Sequence, residues 1–334
     1  MLRVAISGFG RIGKSFLKAA VKQEALGKDF EVVAINTRSA VEQHAHLFKY
    51  DSVYGPFHGK VEVKNGNLVV NGHEIKWITE TDPLKLPWKE LNIDLVLESS
   101  GTFRSRADSE KHVKAGAKHV LISAPAKDVD ATIVPGVNDH LATKAMTVFS
   151  LASCTTNCLA PILKTIDSKF GIECGFLSTV HAYTNDQNLV DGTHNDLRRA
   201  RAAALNIIPT STGAAKAIGD VIPSLAGLMD GLAFRVPVPD GSMNDITLLL
   251  KKEAKAEEIN AELKRASNEE LKGILGYTDE PLVSTDIIGT PTSSVVDSKL
   301  TNSRGRLVKI CAWYDNEFGY SNRLVDFVKK LGKL

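Results

Sequence analysis

The chain has 334 residues, of which 43% are hydrophobic and 24% are charged, a composition typical of a soluble globular protein with about two domains. A formal net charge of +2 gives no general basic field, so we expect no nucleic-acid partner. No apolar run approaches the ~18–20 residues of a membrane span, and no signal peptide is recognisable, so we expect a cytoplasmic protein without a membrane partner. The four cysteines have the spacing of neither a disulfide framework nor a metal site.

The first predicted elements are a strand, a glycine-rich turn and a helix. Val4–Ile6 is a short apolar run, and apolar residues recur at helical spacing after the turn. In this context Gly8-x-Gly10-x-x-Gly13 indicates dinucleotide binding. Gly8 permits a tight turn, Gly10 lets the backbone approach a pyrophosphate, and Gly13 lets the helix pack closely on the strand. The helix N-terminus then faces the phosphates.

The end of the second strand, predicted over 31–35, indicates which dinucleotide binds. An acidic residue there accepts a hydrogen bond from the ribose of NAD, whereas arginine suits the 2′-phosphate of NADP. The chain has Asn36-Thr37-Arg38-Ser39 at this point, without a carboxylate. Thr37 can donate a hydrogen bond and Arg38 can pair with phosphate, so we predict NADP as the preferred cofactor, with NAD possible. The alternative for Arg38 is an ordinary solvated arginine.

Further strands are predicted over 93–98 and 119–123, with a polar helix over 106–115 between them. Alternating strands and helices of this kind predict an α/β domain with a Rossmann-type, doubly wound parallel sheet. The segment 61–78 alternates apolar and polar residues around Asn65-Gly66 and Asn71-Gly72, dipeptides typical of hairpin turns. We expect an antiparallel insertion there.

The segment Ser153-Cys154-Thr155-Thr156-Asn157-Cys158 precedes an apolar stretch and predicts the start of a helix. Backbone N–H groups and the helix dipole at such an N-terminus favour a thiolate. A histidine placed beside the thiol completes the pair that makes cysteine a nucleophile, and His181 follows 27 residues later. The alternative is a buried, unreactive thiol.

The remainder of the chain has a different pattern. Longer strands are predicted over 176–183, 232–238 and 245–251, with helices near 212–222 and 255–267 and an amphipathic C-terminal helix. We therefore expect a dinucleotide-binding domain over 1–152, completed by a C-terminal helix over 321–334. An α+β catalytic domain with a mostly antiparallel sheet is predicted over 153–320. Cys158, Cys174 and Cys311 are expected to be core residues.

The glycine fingerprint, the Ser153–Cys158 segment and the sequence His181-Ala182-Tyr183-Thr184-Asn185-Asp186-Gln187 together resemble the phosphorylating glyceraldehyde-3-phosphate dehydrogenases. The resemblance covers essentially the whole chain. Further motifs that carry it are Ser123–Asp128, Asp196–Arg201, Pro209–Gly213 and Trp313–Glu317.

The resemblance implies reversible oxidative phosphorylation of D-glyceraldehyde 3-phosphate to 1,3-bisphosphoglycerate through a Cys154 thioester, with His181 as general base. Hydroxyls, backbone N–H groups and guanidinium suit the two phosphates of such a reaction. For the substrate phosphate it implies Thr184 and Arg235, and for the attacking inorganic phosphate a set that includes Ser153, Thr155, Arg199, Thr212 and Gly213. The cofactor contacts that we expect are Gly8, Gly10, Arg11, Ile12, Gly13, Thr37, Arg38, Ser100, Gly101, Ser123, Thr193 and Asn316, the last of which would orient the nicotinamide amide.

The resemblance also implies a homotetramer. Gly192-Thr193 stands where NAD-using relatives carry Leu-Pro, in a loop expected to reach a neighbouring subunit's adenosine pocket, and these small residues leave room for a phosphate. Two alternatives stay open. One is an erythrose-4-phosphate dehydrogenase of the same superfamily, because similar pockets accept different substrates. The other is a non-catalytic binding protein, against which stand the intact cysteine and histidine and the lack of a basic, aromatic-interleaved patch.

Overall fold

A computed structural model describes all residues from Met1 to Leu334 and divides the chain into two compact units. Unit 1 comprises Met1–Ile133, Asp139–Ala152 and Ser321–Leu334, and unit 2 comprises Val134–Asn138 and Ser153–Tyr320. No helix is both long enough and apolar enough to cross a membrane.

Unit 1 is built on a nine-stranded sheet. In chain order its strands are β1 (Leu2–Ser7), β2 (Phe30–Asn36), β3 (Val61–Lys64), β4 (Asn67–Val70), β5 (His73–Ile78), β6 (Leu95–Glu98), β7 (His119–Ile122), β8 (Ala131–Thr132) and β9 (Val148–Ser150). The helices between them are α1 (Arg11–Lys22), α2 (Val41–Lys49) and α3 (Arg106–Lys114). The spatial order is β3-β4-β5-β2-β1-β6-β7-β9-β8, and only β4 pairs antiparallel with its neighbours. The predicted parallel sheet with an antiparallel insertion is confirmed.

Local sequence explains both features of this sheet. The β1 residues Val4, Ala5 and Ile6 are fully buried, as a strand covered on both faces requires. In the insertion, Asn65-Gly66 and Asn71-Gly72 all have positive φ, the backbone of the tight hairpin turns that their sequence predicts. The carboxyl ends of β1, β2 and β6 meet at one edge, the edge where parallel sheets bind ligands.

Unit 2 is built on a seven-stranded sheet with the order β11-β12-β10-β13-β16-β15-β14. In chain order its strands are β10 (Ile172–Ala182), β11 (Ile208–Ser211), β12 (Met229–Val236), β13 (Ser242–Leu250), β14 (Leu275–Thr278), β15 (Ser294–Arg304) and β16 (Leu307–Tyr314). The remaining helices of the chain are α4 (Cys154–Phe170), α5 (Ile218–Val221), α6 (Ala256–Asn268), α7 (Ser284–Ile287) and α8 (Phe318–Leu331). The pairs β10–β12 and β14–β15 are parallel and the others are antiparallel, so the mostly antiparallel sheet is also confirmed.

Some local predictions for unit 2 are wrong. The helix expected over 212–222 is only the four-residue α5, preceded by turns, and β15 was not predicted because its second half is rich in polar residues. Cys158 and Cys311 are buried, but Cys174 is exposed. Cys174 lies on the same face of β10 as Phe176, two residues further on, and this face of the strand end is exposed to solvent.

Candidate active site

Cys154 lies at the first position of α4, a placement set by Ser153. The Ser153 side chain caps the helix, with Oγ accepting a hydrogen bond from the Thr156 N–H at 3.0 Å. The Ser153 backbone is extended, whereas Cys154 is already helical. This is the geometry of an N-cap residue. The sequence prediction that a helix begins here is confirmed, and the thiol stands among helix N-terminal N–H groups.

His181 reaches this thiol from the end of β10. Its Nε2 is 3.5 Å from Cys154 Sγ, and its Nδ1 is 2.7 Å from the carbonyl oxygen of Ala182. Because a carbonyl only accepts, Nδ1 carries the proton and donates it in this shorter contact. Arg235 Nη1, a donor 3.1 Å from Nδ1, then bonds to the same carbonyl rather than to the ring. The neutral ring therefore presents an unprotonated Nε2 to the sulfur, as a general base requires.

Strand pairing brings Arg235 beside His181. The strands β10 and β12 run parallel with His181 opposite Arg235. Arg235 Nη1 lies 3.1 Å from the Ala182 carbonyl oxygen, 3.3 Å from Thr184 Oγ1 and 3.1 Å from His181 Nδ1. Arg235 Nε is buried without an acceptor. A guanidinium and a hydroxyl held together in this way suit a phosphate or another anion.

Burial and positive charge decide the resting protonation of the pair. Burial raises the pKa of the Cys154 thiol to about 11, although Arg235 and the Thr155 side chain and N–H act to lower it. Burial, with Arg235 as the next cause, lowers the pKa of His181 to about 3. Each group alone is therefore neutral near pH 7. His181 Nε2, 3.5 Å from the sulfur, is positioned to accept the thiol proton, and burial opposes the thiolate that the helix N-terminus was expected to favour.

A buried tyrosine that the sequence analysis gave no role supports the pair. Tyr314 OH is 2.9 Å from Thr155 Oγ1 and 2.8 Å from Thr179 Oγ1, and its ring packs edge-on against His181 with centroids 5.8 Å apart. Thr155 is thus a buried residue bonded to the protein, and its expected role at the attacking phosphate stays a prediction. Tyr314 is 159 residues from Thr155 in sequence, so no local pattern reveals their contact.

Asn316 is held in one orientation by its neighbours. Ser242 Oγ accepts from the Ala182 N–H at 3.0 Å and donates to Asn316 Oδ1 at 2.6 Å. The Asn316 amide oxygen is therefore occupied, which leaves the Nδ2 amine as the group that can donate to a ligand carbonyl. This fits the expected contact with a nicotinamide amide.

The other expected phosphate residues have protein partners of their own. Arg199 pairs with Asp186 and donates to Thr210 Oγ1 at 3.0 Å and to the Ser211 carbonyl at 3.2 Å. Its charge still contributes to lowering the pKa of His181, which places it near the pair. Thr212 Oγ1 accepts from the Ala214 N–H at 3.2 Å, and a side chain added at Gly213 would meet only open space. Thr193 is exposed.

Unit 1 contains a cavity of about 310 Å³ at the carboxyl ends of β1, β2 and β6, here called the glycine-turn cavity. Its lining residues are Ser7, Gly8, Phe9, Gly10, Asn36, Thr37, Arg38, Ser39, His44, Glu80, Thr81, Pro83, Ser99, Ser100, Thr102 and Phe103. Of the expected cofactor residues, Gly8, Gly10, Thr37, Arg38 and Ser100 belong to this lining. Arg11, Ile12, Gly13, Gly101 and Ser123 do not.

The three glycines of the fingerprint have different surroundings. A Cβ at Gly8 would lie 2.4 Å from Ser100 Cα, and one at Gly13 would lie 2.4 Å from the Gly8 carbonyl oxygen. At Gly10 a Cβ would meet nothing within 4 Å, so the backbone there faces open space. Gly10 also caps α1 without any side-chain hydrogen bond, which leaves the helix N-terminal donors available to an anion. These features fit a pyrophosphate.

The lining of the glycine-turn cavity includes both an arginine and a carboxylate. Arg38 is exposed and lines the cavity without a hydrogen bond or ion pair to the protein. Glu80 also lines it, because β5 pairs with β2 and ends at the same edge. Glu80 Oε1 accepts from the Thr81 and Asp82 N–H groups at 2.8 and 2.9 Å. This carboxylate was not predicted, because it lies at the end of β5 and not at the end of β2, where the motif places the ribose-binding residue.

Comparison with known proteins identifies the family. Residues 2–106 match the glyceraldehyde 3-phosphate dehydrogenase NAD binding domain, and residues 153–316 match the C-terminal domain of the same enzyme. The chain belongs to the glyceraldehyde-3-phosphate dehydrogenase family. It is 55% identical over 335 residues to glyceraldehyde-3-phosphate dehydrogenase of Thermotoga maritima, covering 100% of both chains. It is 52% identical over 335 residues to that of Mycobacterium avium, covering 99% of both chains.

Membership in this oxidoreductase family confirms the resemblance drawn from the sequence. The nucleophile candidate Cys154 lies in the region that matches the C-terminal domain, and the glycine turn lies in the region that matches the NAD binding domain.

Proposed function

We propose that this chain is a phosphorylating glyceraldehyde-3-phosphate dehydrogenase that uses Cys154 as its nucleophile. The observation that carries the proposal is the 3.5 Å contact between Cys154 Sγ and an unprotonated His181 Nε2, with Nδ1 fixed as a donor by Ala182. A buried structural cysteine needs no such base.

Cys154 adds to the substrate aldehyde as His181 Nε2 takes the thiol proton and returns it to the former aldehyde oxygen, which gives a thiohemiacetal and a neutral imidazole. A nicotinamide dinucleotide, held at the glycine-turn cavity, would supply the hydride acceptor for oxidation of this adduct to a thioester. His181 assists by removing the hydroxyl proton of the adduct. Inorganic phosphate then attacks the thioester carbonyl, the carbon–sulfur bond breaks, and the thiol is regenerated with release of 1,3-bisphosphoglycerate.

Two groups of residues serve the phosphates in this proposal. Thr184 and Arg235 hold the substrate phosphate, supported by their hydrogen bond at 3.3 Å and by the orphan Arg235 Nε. Ser153, Thr155, Arg199, Thr212 and Gly213 are assigned to the attacking phosphate, and this assignment rests on the family motifs. Asn316 Nδ2 orients the nicotinamide amide.

For the cofactor we propose NADP as the preferred dinucleotide, with NAD also used. The support is a neutral Thr37 and an Arg38 without a protein partner in the cavity. Glu80 acts in the opposite direction, because its carboxylate can accept from a ribose hydroxyl and repel a phosphate. Its Oε1 already accepts two N–H groups, which partly satisfies its charge.

We also propose a homotetramer. The loop between β10 and β11 exposes large apolar side chains, with Leu197 81% and Leu205 82% exposed, and Phe176 and Leu232 are exposed on the sheet. Apolar surface of this extent is typical of an interface. Light scattering that reports a fully active monomer would contradict this state.

The testing experiment measures kcat/KM of the purified protein for D-glyceraldehyde 3-phosphate with NAD and NADP separately, with and without inorganic phosphate. We expect the enzyme to reduce the dinucleotide over many turnovers only when inorganic phosphate is present. Erythrose 4-phosphate in the same assay tests the alternative substrate, and a higher kcat/KM for it would replace our assignment. No turnover of either aldehyde would favour a binding role.

A further inference from the structure

Three fully buried polar side chains lie in series behind the glycine-turn cavity. Trp88 Nε1 donates to His112 Nδ1 at 3.0 Å, and His112 Nε2 is 3.2 Å from Glu98 Oε2. Trp88 and His112 have no exposed surface, and Glu98 is 2% exposed. Glu98 ends β6, and the next two residues, Ser99 and Ser100, line the cavity, so the series runs from the core to the residue that precedes the cavity lining.

The protons of this series have one consistent arrangement. An indole N–H only donates, so His112 Nδ1 accepts and Nε2 carries the ring proton. Nε2 therefore donates to Glu98, and the imidazole is neutral. The other Glu98 oxygen accepts from the Ser100 N–H at 2.8 Å and from the Ser100 hydroxyl. A buried carboxylate with donors on both oxygens is satisfied only in the ionised form.

The carboxylate end of the series fixes the turn that follows β6. Ser100 is exposed and lines the cavity, yet its N–H and its hydroxyl both bond to Glu98. Its hydroxyl oxygen in turn accepts from the Thr102 N–H at 3.1 Å. Its backbone packs directly against Gly8, where any Cβ would lie 2.4 Å from Ser100 N. A shift of Ser100 would therefore move the first glycine of the fingerprint.

The imidazole also touches the cavity wall. The His112 and Phe103 rings meet edge to face, with centroids 6.0 Å apart and an interplanar angle of 87°, and Phe103 lines the cavity. One buried series thus contacts both Ser100 and Phe103 from behind.

We propose that Trp88, His112 and Glu98 are positioning residues for the dinucleotide, which hold Ser100 and Phe103 in the binding conformation through a fixed histidine tautomer. The proposal rests on dinucleotide binding in this cavity, as argued under the proposed function. None of the three touches the ligand. They act through Ser100, Phe103 and the adjoining Gly8.

The substitution Glu98→Gln tests the tautomer directly. The glutamine amide has only one accepting oxygen. Its NH₂ group must therefore face either the His112 Nε2–H or the Ser100 N–H, and in both cases two donors face each other without an acceptor. His112 cannot change tautomer to accept, because Trp88 holds Nδ1 as an acceptor. In the double variant Trp88→Phe/Glu98→Gln this restraint is gone, and Nε2 can accept from the glutamine NH₂.

Dinucleotide dissociation constants are measured by calorimetry on the full-length protein with NAD and NADP, without aldehyde. We expect Glu98→Gln to weaken binding by about tenfold or more, and the double variant to bind more tightly than Glu98→Gln alone. The matched control is Glu262→Gln, a buried glutamate in unit 2 that accepts from Lys169 and Arg265. It should leave both dissociation constants within about twofold of wild type, a change worth under ~0.5 kcal/mol.

Binding of Glu98→Gln within twofold of wild type overturns the proposal, and so does a double variant that binds no more tightly than Glu98→Gln alone. If the wild type binds neither dinucleotide, the proposed function fails instead. Should Glu98→Gln not fold, ¹⁵N spectra of histidine-labelled wild type decide. A neutral His112 with the proton on Nε2 supports the series, whereas a protonated ring or the opposite tautomer contradicts it.

Discussion

His181 and Arg235 stand opposite each other on neighbouring parallel strands, and Arg235 Nη1 lies 3.1 Å from His181 Nδ1. The guanidinium lies on the side of the imidazole away from the sulfur, and its charge helps burial to lower the pKa of the ring. The same charge acts to lower the pKa of Cys154. One arginine therefore favours a thiolate and a neutral base together, and in the proposed function the same cation would bind the substrate phosphate.

The thiol should be indispensable. Cys154→Ser removes oxidation of glyceraldehyde 3-phosphate, because a serine hydroxyl has no comparably accessible anion. Cys174→Ser is the matched control, since that thiol is exposed on β10 and should be dispensable. Steady-state rates of both variants check this, and full activity in Cys154→Ser would exclude the covalent mechanism.

His181→Asn should keep the fold and lower kcat by roughly 10²–10⁴, the usual contribution of a general base. The rate at which iodoacetamide alkylates Cys154 is a second measurement, which tests whether His181 accepts the thiol proton. Burial raises the pKa of the thiol to about 11, and without Nε2 no neighbouring base takes the proton. Alkylation of the variant should therefore be slower than wild type at pH 7 and still rising with pH above pH 9. An unchanged pH profile would show that His181 does not accept the thiol proton.

Cofactor choice should respond to the charge at two positions of the cavity lining, Thr37 and Glu80. Thr37→Asp is expected to shift the ratio of kcat/KM toward NAD, and Glu80→Gln to shift it toward NADP. One charge-assisted hydrogen bond is worth roughly 1.5–3 kcal/mol, or about 10- to 150-fold. A wild-type kcat/KM for NAD far above that for NADP would contradict our interpretation of Thr37 and Arg38.

Asp51 should stabilise unit 1 in a pH-dependent way. Its side chain is 4% exposed and pairs with Arg11 and Lys18, both at 2.9 Å. Burial acts to raise its pKa, but the bonds from Lys18 and Arg11 outweigh burial and hold the pKa at about 2, below the usual 3.8. These two ion pairs therefore make their full contribution to the free energy of unfolding above pH 3.8. That contribution is lost as the pH falls through about 2.

Asp51→Asn should lower the free energy of unfolding by about 1–2 kcal/mol near pH 7, less than the shift alone implies because solvent screens part of the pair. Urea titrations from pH 7 down to about pH 2 measure the difference from wild type, which should shrink at the acid end. Glu62→Gln is the control, because Glu62 pairs with Lys60 and Lys64 at the surface. A difference in the free energy of unfolding between wild type and Asp51→Asn that grows as the pH falls would contradict this prediction.

Features governed by neighbouring residues were predictable from the sequence. The strand, glycine turn and helix around Gly8, the two Asn-Gly hairpins and the helix start at Ser153 all follow from local backbone and capping rules. Features created by distant strand pairing were not. Glu80 reaches the cavity because β5 lies beside β2. Tyr314 reaches Thr155 because β16 packs against α4, which brings the two hydroxyls within hydrogen-bond distance. Neither contact leaves a local pattern.

The most direct test of the central claim is mass spectrometry of the protein mixed with glyceraldehyde 3-phosphate and a dinucleotide in the absence of phosphate. We predict a 3-phosphoglyceroyl thioester on the peptide that contains Cys154, formed together with one equivalent of reduced dinucleotide and removed on addition of phosphate. Dinucleotide reduction without an adduct on Cys154, or an adduct that phosphate does not release, would contradict the account.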